Sequence, residues 1–121
     1  HLGDGQSDAK WLEKETGVQV QFVAGNCDLC RDCPRELRQT VDGVRLLAVH
    51  GDKYNVKLEL TTLSYYAEEA CAQAALFGHT HQPFAGYVGR VLLVNPGSLA
   101  KGRYAELRLD HGQAVPFLKE F

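Results

Sequence analysis

Apolar residues recur along the chain with two periods, one typical of helices and one typical of strands. Residues 8–16 predict a helix, because Ser7 can cap its start and Gly17 follows its end. Residues 18–23 are apolar at nearly every second position, which predicts a strand. Residues 60–74 have apolar side chains at helical spacing and predict an amphipathic helix.

Short apolar runs on either side of turn residues predict three β-hairpins. The runs are residues 36–41 and 44–49 around Asp42-Gly43, 87–88 and 91–94 around Gly89-Arg90, and 104–109 and 113–118 around Asp110-His111-Gly112. Residues 44–49 are apolar almost throughout, so their strand is expected inside a sheet. Residues 75–77 predict a further short buried strand. Helices and strands alternate in the first half, whereas the second half is nearly all strand. We therefore expect one domain, with two packed sheets and helices outside them.

Length and charge exclude several classes of function. A chain of 121 residues is expected to form a single domain. The formal net charge of −2 and the absence of clustered Lys or Arg argue against extended nucleic-acid binding. No apolar run approaches the roughly 20 residues that a membrane-spanning helix needs, so no membrane association is expected.

The cysteines bear on the cellular location. Cys27, Cys30 and Cys33 lie within seven residues, and Cys71 is distant. This spacing is unfavourable for a disulfide framework, so we expect reduced thiols and a cytoplasmic protein. The two-residue gaps also resemble part of an iron–sulfur or zinc ligand run. Position 37, where a fourth cysteine would be expected, is Leu37.

Four short segments end in groups that bind metals. They are Leu2-Gly3-Asp4, Gly25-Asn26-Cys27-Asp28, Val49-His50-Gly51-Asp52 and Gly78-His79-Thr80-His81. One carboxylate, one amide oxygen and three imidazoles suit a transition metal better than calcium. Taken singly, the first two segments are also ordinary turn sequences, and His50 could be a buried histidine with satisfied hydrogen bonds. His1 and His111 are expected to have no functional role.

In this order, the four segments closely resemble the motifs of the calcineurin-like metallophosphoesterase superfamily. The short chain, the Gly-Asn-Cys-Asp variant and Asn95-Pro96-Gly97-Ser98 are most similar to its small bacterial and archaeal phosphodiesterases. The resemblance covers essentially the whole chain. It implies an α/β fold of the metallo-dependent phosphatase type, a four-layer α/β/β/α sandwich of two mixed sheets.

The resemblance also implies roles for the candidate residues. Two divalent metal ions are expected, with Asp4 as the bridging carboxylate. Asn26, His50 and His79 would complete the ligands of one ion, and His81 would bind the other. Manganese is the expected metal, with nickel, iron, zinc or magnesium as alternatives. A metal-bound hydroxide would attack a small phosphodiester or phosphomonoester substrate.

Three residues beside these ligands could orient them or contact substrate. Asp28 and Asp52 are adjacent to ligands and could accept hydrogen bonds that orient them. Cys27 stands where many family members have a histidine that is thought to protonate the leaving group. A thiol is a poor acid for this step, so the variant favours activated phosphodiesters.

The family's Asp-x-His strand is not among residues 1–121. We therefore expect this single domain to lack its first β–α unit, a piece of roughly 30 residues whose natural place is upstream of His1. The alternative function is a non-catalytic metal-binding or protein-interaction scaffold on the same fold, as the retromer subunit of this superfamily is thought to be. Every expected ligand within the span is intact, which favours an enzyme. The sequence leaves a homo-oligomer open.

Overall fold

The computed structural model describes residues 1–30 and 32–121 of the chain. Its helices and strands are α1 (Gln6–Thr16), β1 (Glu36–Val41), β2 (Val44–Val49), α2 (Thr61–Glu69), β3 (Ala74–Leu76), β4 (Phe84–Val88), β5 (Val91–Asn95), β6 (Arg103–Asp110) and β7 (Gln113–Glu120). Short 3-10 turns at Asp52–Tyr54 and Leu99–Lys101 connect some of them. In these residues, no helix is long and apolar enough to cross a membrane.

Five strands form a mixed sheet in the order β1-β2-β3-β5-β4. Strands β2, β3 and β5 are parallel, and β1 and β4 lie antiparallel at the two edges. Val41 pairs with Val44 across Asp42 and Gly43, whose φ angles of 48° and 77° suit a tight two-residue hairpin turn. This hairpin and the internal position of its second strand are confirmed. The hairpins predicted around Gly89-Arg90 and Asp110-His111-Gly112 are confirmed as well.

Helix α2 covers one face of the sheet. Leu63 and Ala67 of the helix are fully buried against Leu47, Phe77 and Leu93, and together they form the centre of the main core. The helix is shorter than its apolar spacing predicts. It ends at Glu69 because the backbone turns sharply at Cys71, where φ is 60°.

The hairpin of β6 and β7 packs on the opposite face. Ala105, Leu107 and Ala114 contact a second apolar cluster centred on Leu92 and Val94. The expected α/β fold with two packed sheets is therefore present. The second sheet is not mixed, however, because its two strands are purely antiparallel. The described layers are a helix, a mixed sheet and this hairpin.

Two further expectations in the first 24 residues are wrong. In the part of the chain that the structure describes, residues 18–23 form no strand. Their backbone-to-backbone bonds to another segment involve one residue, His1, whose amino group donates to Gln21 and whose carbonyl accepts from Val23. A ladder requires successive pairs of residues along two segments. Helix α1 starts at Gln6 rather than at residue 8, with Gly5 and not Ser7 as the N-cap residue. Its end before Gly17, which has φ of 69°, is as predicted.

Candidate metal centre

The sheet brings two of the predicted ligands to one edge. His50 directly follows β2, and His79 follows β3 after two residues. Because β2 and β3 are adjacent and parallel, their carboxyl ends lie side by side. The amide hydrogen bond from Gly78 to the carbonyl of His50, at 2.9 Å, joins the two segments just beyond the strands.

Four predicted ligands converge around one atom, Nε2 of His50. The distances from this nitrogen are 3.0 Å to Oδ1 of Asn26, 3.1 Å to Oδ2 of Asp4 and 3.1 Å to Nδ1 of His79. Adjacent ligands at right angles on an ion with bonds of about 2.1 Å would be about 3.0 Å apart. These side chains therefore have the spacing that a shared cation requires.

The tautomer of neutral His50 follows from the partner of its other ring nitrogen. Nδ1 lies 2.7 Å from the carbonyl oxygen of Leu2. Because a carbonyl can only accept, Nδ1 carries a proton, and in the neutral ring Nε2 then presents its lone pair to the cluster. The ring is only 2% exposed, so this orientation is maintained by packing. A ligating histidine commonly has this arrangement.

The donor set of this cluster fits a divalent cation. With His50 neutral, the Nε2 lone pair, the Asp4 carboxylate and the Asn26 carbonyl oxygen all offer electron pairs. Such atoms at 3.0–3.1 Å repel one another unless a proton or a metal cation lies between them. The ligand atoms of Asp4, His50 and His79 all lie within 4.8 Å of one another.

Glycine is required at two positions because the segments pass so close together. A Cβ atom on Gly25 would lie 2.2 Å from Oδ1 of Asp4, and one on Gly3 would lie 2.5 Å from Nδ1 of His50. Gly3 also has φ of 102°, which favours glycine. The glycines of these motifs thus make room for the ligands themselves.

Asp28 holds the loop of Asn26 and the segment of Asp4 together. Its Oδ2 accepts the amide of Asp4 at 2.7 Å and that of Gly25 at 2.8 Å. Oδ1 of Asp4 in turn accepts the amide of Cys27 at 2.8 Å, which leaves Oδ2 facing His50. Asp28 therefore links the two segments through their backbone amides.

Asn95 supports the histidine loop, although no role was assigned to it from the sequence. It is fully buried at the end of β5. Its Nδ2 donates to the carbonyl of Gly78 at 3.2 Å and to Oγ1 of Thr80 at 2.9 Å, and its Oδ1 accepts the amide of Gly97 at 2.9 Å. The Asn-Pro-Gly-Ser sequence was the only signal that could have indicated this function.

The histidine loop has an unusual backbone. His79 and His81 have φ angles of 67° and 60°, and the amide of Thr80 donates to the carbonyl of Gly78 at 2.8 Å. Left-handed conformations are unfavourable for these residues and persist only when their surroundings impose them. The loop is therefore bent, and it turns His79 towards His50.

His81 and Asp52 lie differently from the four converging residues. In the described part of the chain, His81 is exposed and does not join the group of Asp4, His50 and His79. Asp52 begins the 3-10 turn that follows His50. Its carboxylate is near enough to influence His79 electrostatically.

The electrostatic surroundings favour a neutral His79. Burial lowers the pKa of His79, and the nearby His50 and Lys57 add to this effect. The carboxylates of Asp52 and Asp4 oppose it without cancelling it. A lowered pKa keeps the imidazole in the unprotonated form that can bind a metal ion.

The expectation of reduced thiols is wrong for two of the cysteines. Cys30 and Cys33 form a disulfide, because their Cα atoms lie 5.5 Å apart, within the range that a disulfide can bridge. Cys27 and Cys71 are free and exposed. In this state the loop does not offer the three thiolates of the iron–sulfur or zinc alternative.

The fold and the cluster of ligands define the class of metal-dependent phosphoesterases. Residues 1–109 match the calcineurin-like phosphoesterase superfamily domain. The probable metallophosphoesterase YsnB of Bacillus subtilis is 32% identical over an alignment that covers 95% of this chain and 70% of that protein. The chain therefore belongs to the calcineurin-like phosphoesterase superfamily, as its motifs predicted.

Solved structures share the fold. A Streptococcus pneumoniae protein described as a predicted phosphoesterase has a TM-score of 0.80 at 21% identity, covering 98% of this chain and 86% of that one. Vps29 of Entamoeba histolytica, complexed with Zn²⁺, has a TM-score of 0.72 at 18% identity, covering 98% and 76% of the two chains. Both likenesses establish the α/β metallophosphatase-like fold.

Proposed function

We propose that this chain is a metal-dependent phosphodiesterase in which Asp4, Asn26, His50 and His79 bind a divalent cation. The observation that carries the proposal is the convergence of three donor atoms on the lone pair of His50 Nε2. His81 is proposed to bind a second cation, with Asp4 between the two. Manganese is the expected metal, and a small phosphodiester or phosphomonoester is the expected substrate.

The chain's own residues orient this site before any cation binds. The carbonyl of Leu2 sets the tautomer of His50, and the carboxylate of Asp28 holds the amides of Asp4 and Gly25. Preorganised ligands reduce the rearrangement that binding and turnover would require. A bound cation would supply Lewis-acid activation of a phosphoryl oxygen and of water.

The environment of Cys27 supports the proposal that the substrate is an activated ester. The carboxylate of Asp4 is the largest influence that raises the pKa of the Cys27 thiol, and burial, a hydrogen bond to Asp4 and the charge of Asp28 also raise it. Lys57 acts weakly in the opposite direction. A thiol with a raised pKa is a weak proton donor near neutral pH. The proposed substrates are therefore esters whose leaving group departs without protonation.

Hydrolysis of bis(p-nitrophenyl) phosphate with added manganese tests the proposal, using the full-length protein freed of metal and then reloaded. His79→Ala should abolish turnover, because it removes a ligand. His111→Ala is the matched control, since His111 is an exposed histidine in the turn between β6 and β7. Turnover that survives in His79→Ala, or is absent from the metal-loaded parent protein, would contradict the proposal.

The second candidate function is a non-catalytic metal-binding or protein-interaction scaffold. It is supported by the position of His81, which lies outside the cluster in the described residues. A scaffold would bind manganese through His50 and His79 without hydrolysing the ester. Measuring cation binding and turnover on the same sample therefore separates the two functions.

A further inference from the structure

The loop that carries Asn26 also contains a disulfide that the proposed reaction does not use. Cys30 and Cys33 are bonded to each other and half-buried. Their neighbours Leu29 and Asp32 are exposed, and Leu29 is 97% exposed. The bond is therefore at the surface, where a thiol from solution can reach it.

This loop is a closed unit. Its base is joined by a hydrogen bond of 2.8 Å from the amide of Ala24 to the carbonyl of Pro34, and Arg35 donates to the carbonyl of Gly25 at 3.1 Å. Asn26 lies immediately inside this closure, with Oδ1 3.0 Å from Nε2 of His50. The disulfide and the ligand Asn26 therefore belong to the same closed loop.

The disulfide is also connected to the segment of Asp4. The side-chain amide of Gln6 contacts Sγ of Cys33 at 3.7 Å, and the backbone amide of Gln6 donates to Oδ1 of Asp28 at 3.4 Å. Gln6 lies two residues after Asp4. The sulfur pair thus adjoins both segments that contribute oxygen ligands to the cluster.

We propose that Cys30 and Cys33 are a redox-active pair whose state controls the order of this loop and, through Asn26, the affinity of the cation site. The effect on affinity rests on the function proposed above. The reductant is a dithiol, either a small molecule or a protein. One thiolate of the dithiol attacks a sulfur of the pair, the bond between Cys30 and Cys33 breaks, and a mixed disulfide forms.

The second thiolate of the reductant then attacks the mixed disulfide. The reductant leaves as a disulfide, and Cys30 and Cys33 each gain a proton. Two electrons have then passed from the dithiol to the protein, and the tight turn is no longer covalently closed. The reverse sequence, with a disulfide as oxidant, restores it.

Alkylation and mass analysis of the full-length protein count the free thiols. The oxidised form should have two free thiols, Cys27 and Cys71, and dithiothreitol should release Cys30 and Cys33 as well. Manganese affinity is then measured by calorimetry on both forms, after anaerobic removal of the reductant. Changes to residues that support metal ligands typically weaken binding about 10–100-fold. We expect reduction to weaken manganese binding about 10-fold, the smaller effect in that range.

Two variants and a second readout make the test specific. Cys30→Ser with Cys33→Ser should bind manganese as weakly as the reduced protein under all conditions. Cys71→Ser removes an exposed thiol distant in sequence and should respond to dithiothreitol like the parent protein. Amide hydrogen exchange of Asp4 and Gly25 in metal-free protein should be faster after reduction, since both amides donate to Asp28 in this loop.

The outcomes separate the two proposals. Equal manganese affinity and equal hydrogen exchange in the oxidised and reduced forms would overturn the redox device while leaving the metal site intact. Manganese binding in neither form would overturn the cation site and, with it, the effect on affinity. Four free thiols in protein isolated without reductant and equilibrated with a glutathione disulfide buffer would also overturn the proposal.

Discussion

Replacing Asn95 with alanine should loosen the histidine loop and weaken the metal centre together. The side chain is 0% exposed and makes three hydrogen bonds, to Gly78, Thr80 and Gly97. Its loss leaves the Gly97 amide without this partner, whereas the Gly78 carbonyl still accepts the amide of Thr80. Thr80 keeps the amide of Gln82 as a partner.

The magnitude follows from the one backbone amide that loses its partner, that of Gly97. An unsatisfied buried donor or acceptor costs about 1–3 kcal/mol. Gly97 is only half-buried, so water recovers part of this cost, while the lost bonds to Gly78 and Thr80 add to it. We therefore expect Asn95→Ala to reduce the free energy of unfolding by about 1–3 kcal/mol. Manganese affinity should fall as well, because the left-handed backbone of His79 depends on this support.

Urea unfolding in the presence of a chelator measures the stability effect without a metal contribution. Thr80→Val removes one of the three bonds and should cost less than Asn95→Ala. The double variant should show coupling between the two changes, because the residues are in contact. Gln39→Ala, which removes an exposed amide on β1, is the control for side-chain truncation. A loss below about 0.5 kcal/mol in Asn95→Ala, within the usual range for surface changes, would refute this account of the loop.

Three further outcomes are expected. Gly25→Ala should abolish manganese binding, because its Cβ would lie 2.2 Å from Oδ1 of Asp4. Burial, followed by the nearby Tyr66, raises the pKa of Tyr54 from 10.0 to about 12. Between these values the unfolded chain loses this proton first, so stability should fall as pH rises from 10 to 12, and Tyr54→Phe should flatten the fall. Manganese should raise the melting temperature of the parent protein but not that of His50→Ala.

Each of these outcomes has its own control. Gly86→Ala adds a methyl group that meets Phe84 at an ordinary 3.4 Å and should bind manganese normally. If Gly25→Ala bound manganese as tightly as the parent protein, the close contact with Asp4 would be relieved without disturbing the cation site, and the prediction would be wrong. If the stability of Tyr54→Phe fell with pH as steeply as that of the parent protein, the loss of stability at alkaline pH would belong to another group. A manganese-induced rise in melting temperature that persists in His50→Ala would place the cation elsewhere.

Local sequence determined the elements whose interactions lie within a few residues. The hairpin at Asp42-Gly43 depends on two adjacent positive φ angles, and helix α1 ends where Gly17 adopts a left-handed conformation. The motifs around Asp4, Asn26, His50 and His79 could also be recognised from the sequence, because each pairs a metal-binding side chain with small or turn-forming residues. Their order along the chain was enough to identify the family.

Only the tertiary structure decided how distant segments use their side chains. Residues 18–23 have the alternation of a strand, but within the described residues their backbone-to-backbone bonds to another segment go to His1 alone, so no ladder forms. Asn95 supports the histidine loop from another strand. The physical reason for this difference is that tight turns and the ends of helices depend on local backbone angles. Pairing and convergence instead depend on contacts between residues far apart in sequence, which apolar spacing does not encode.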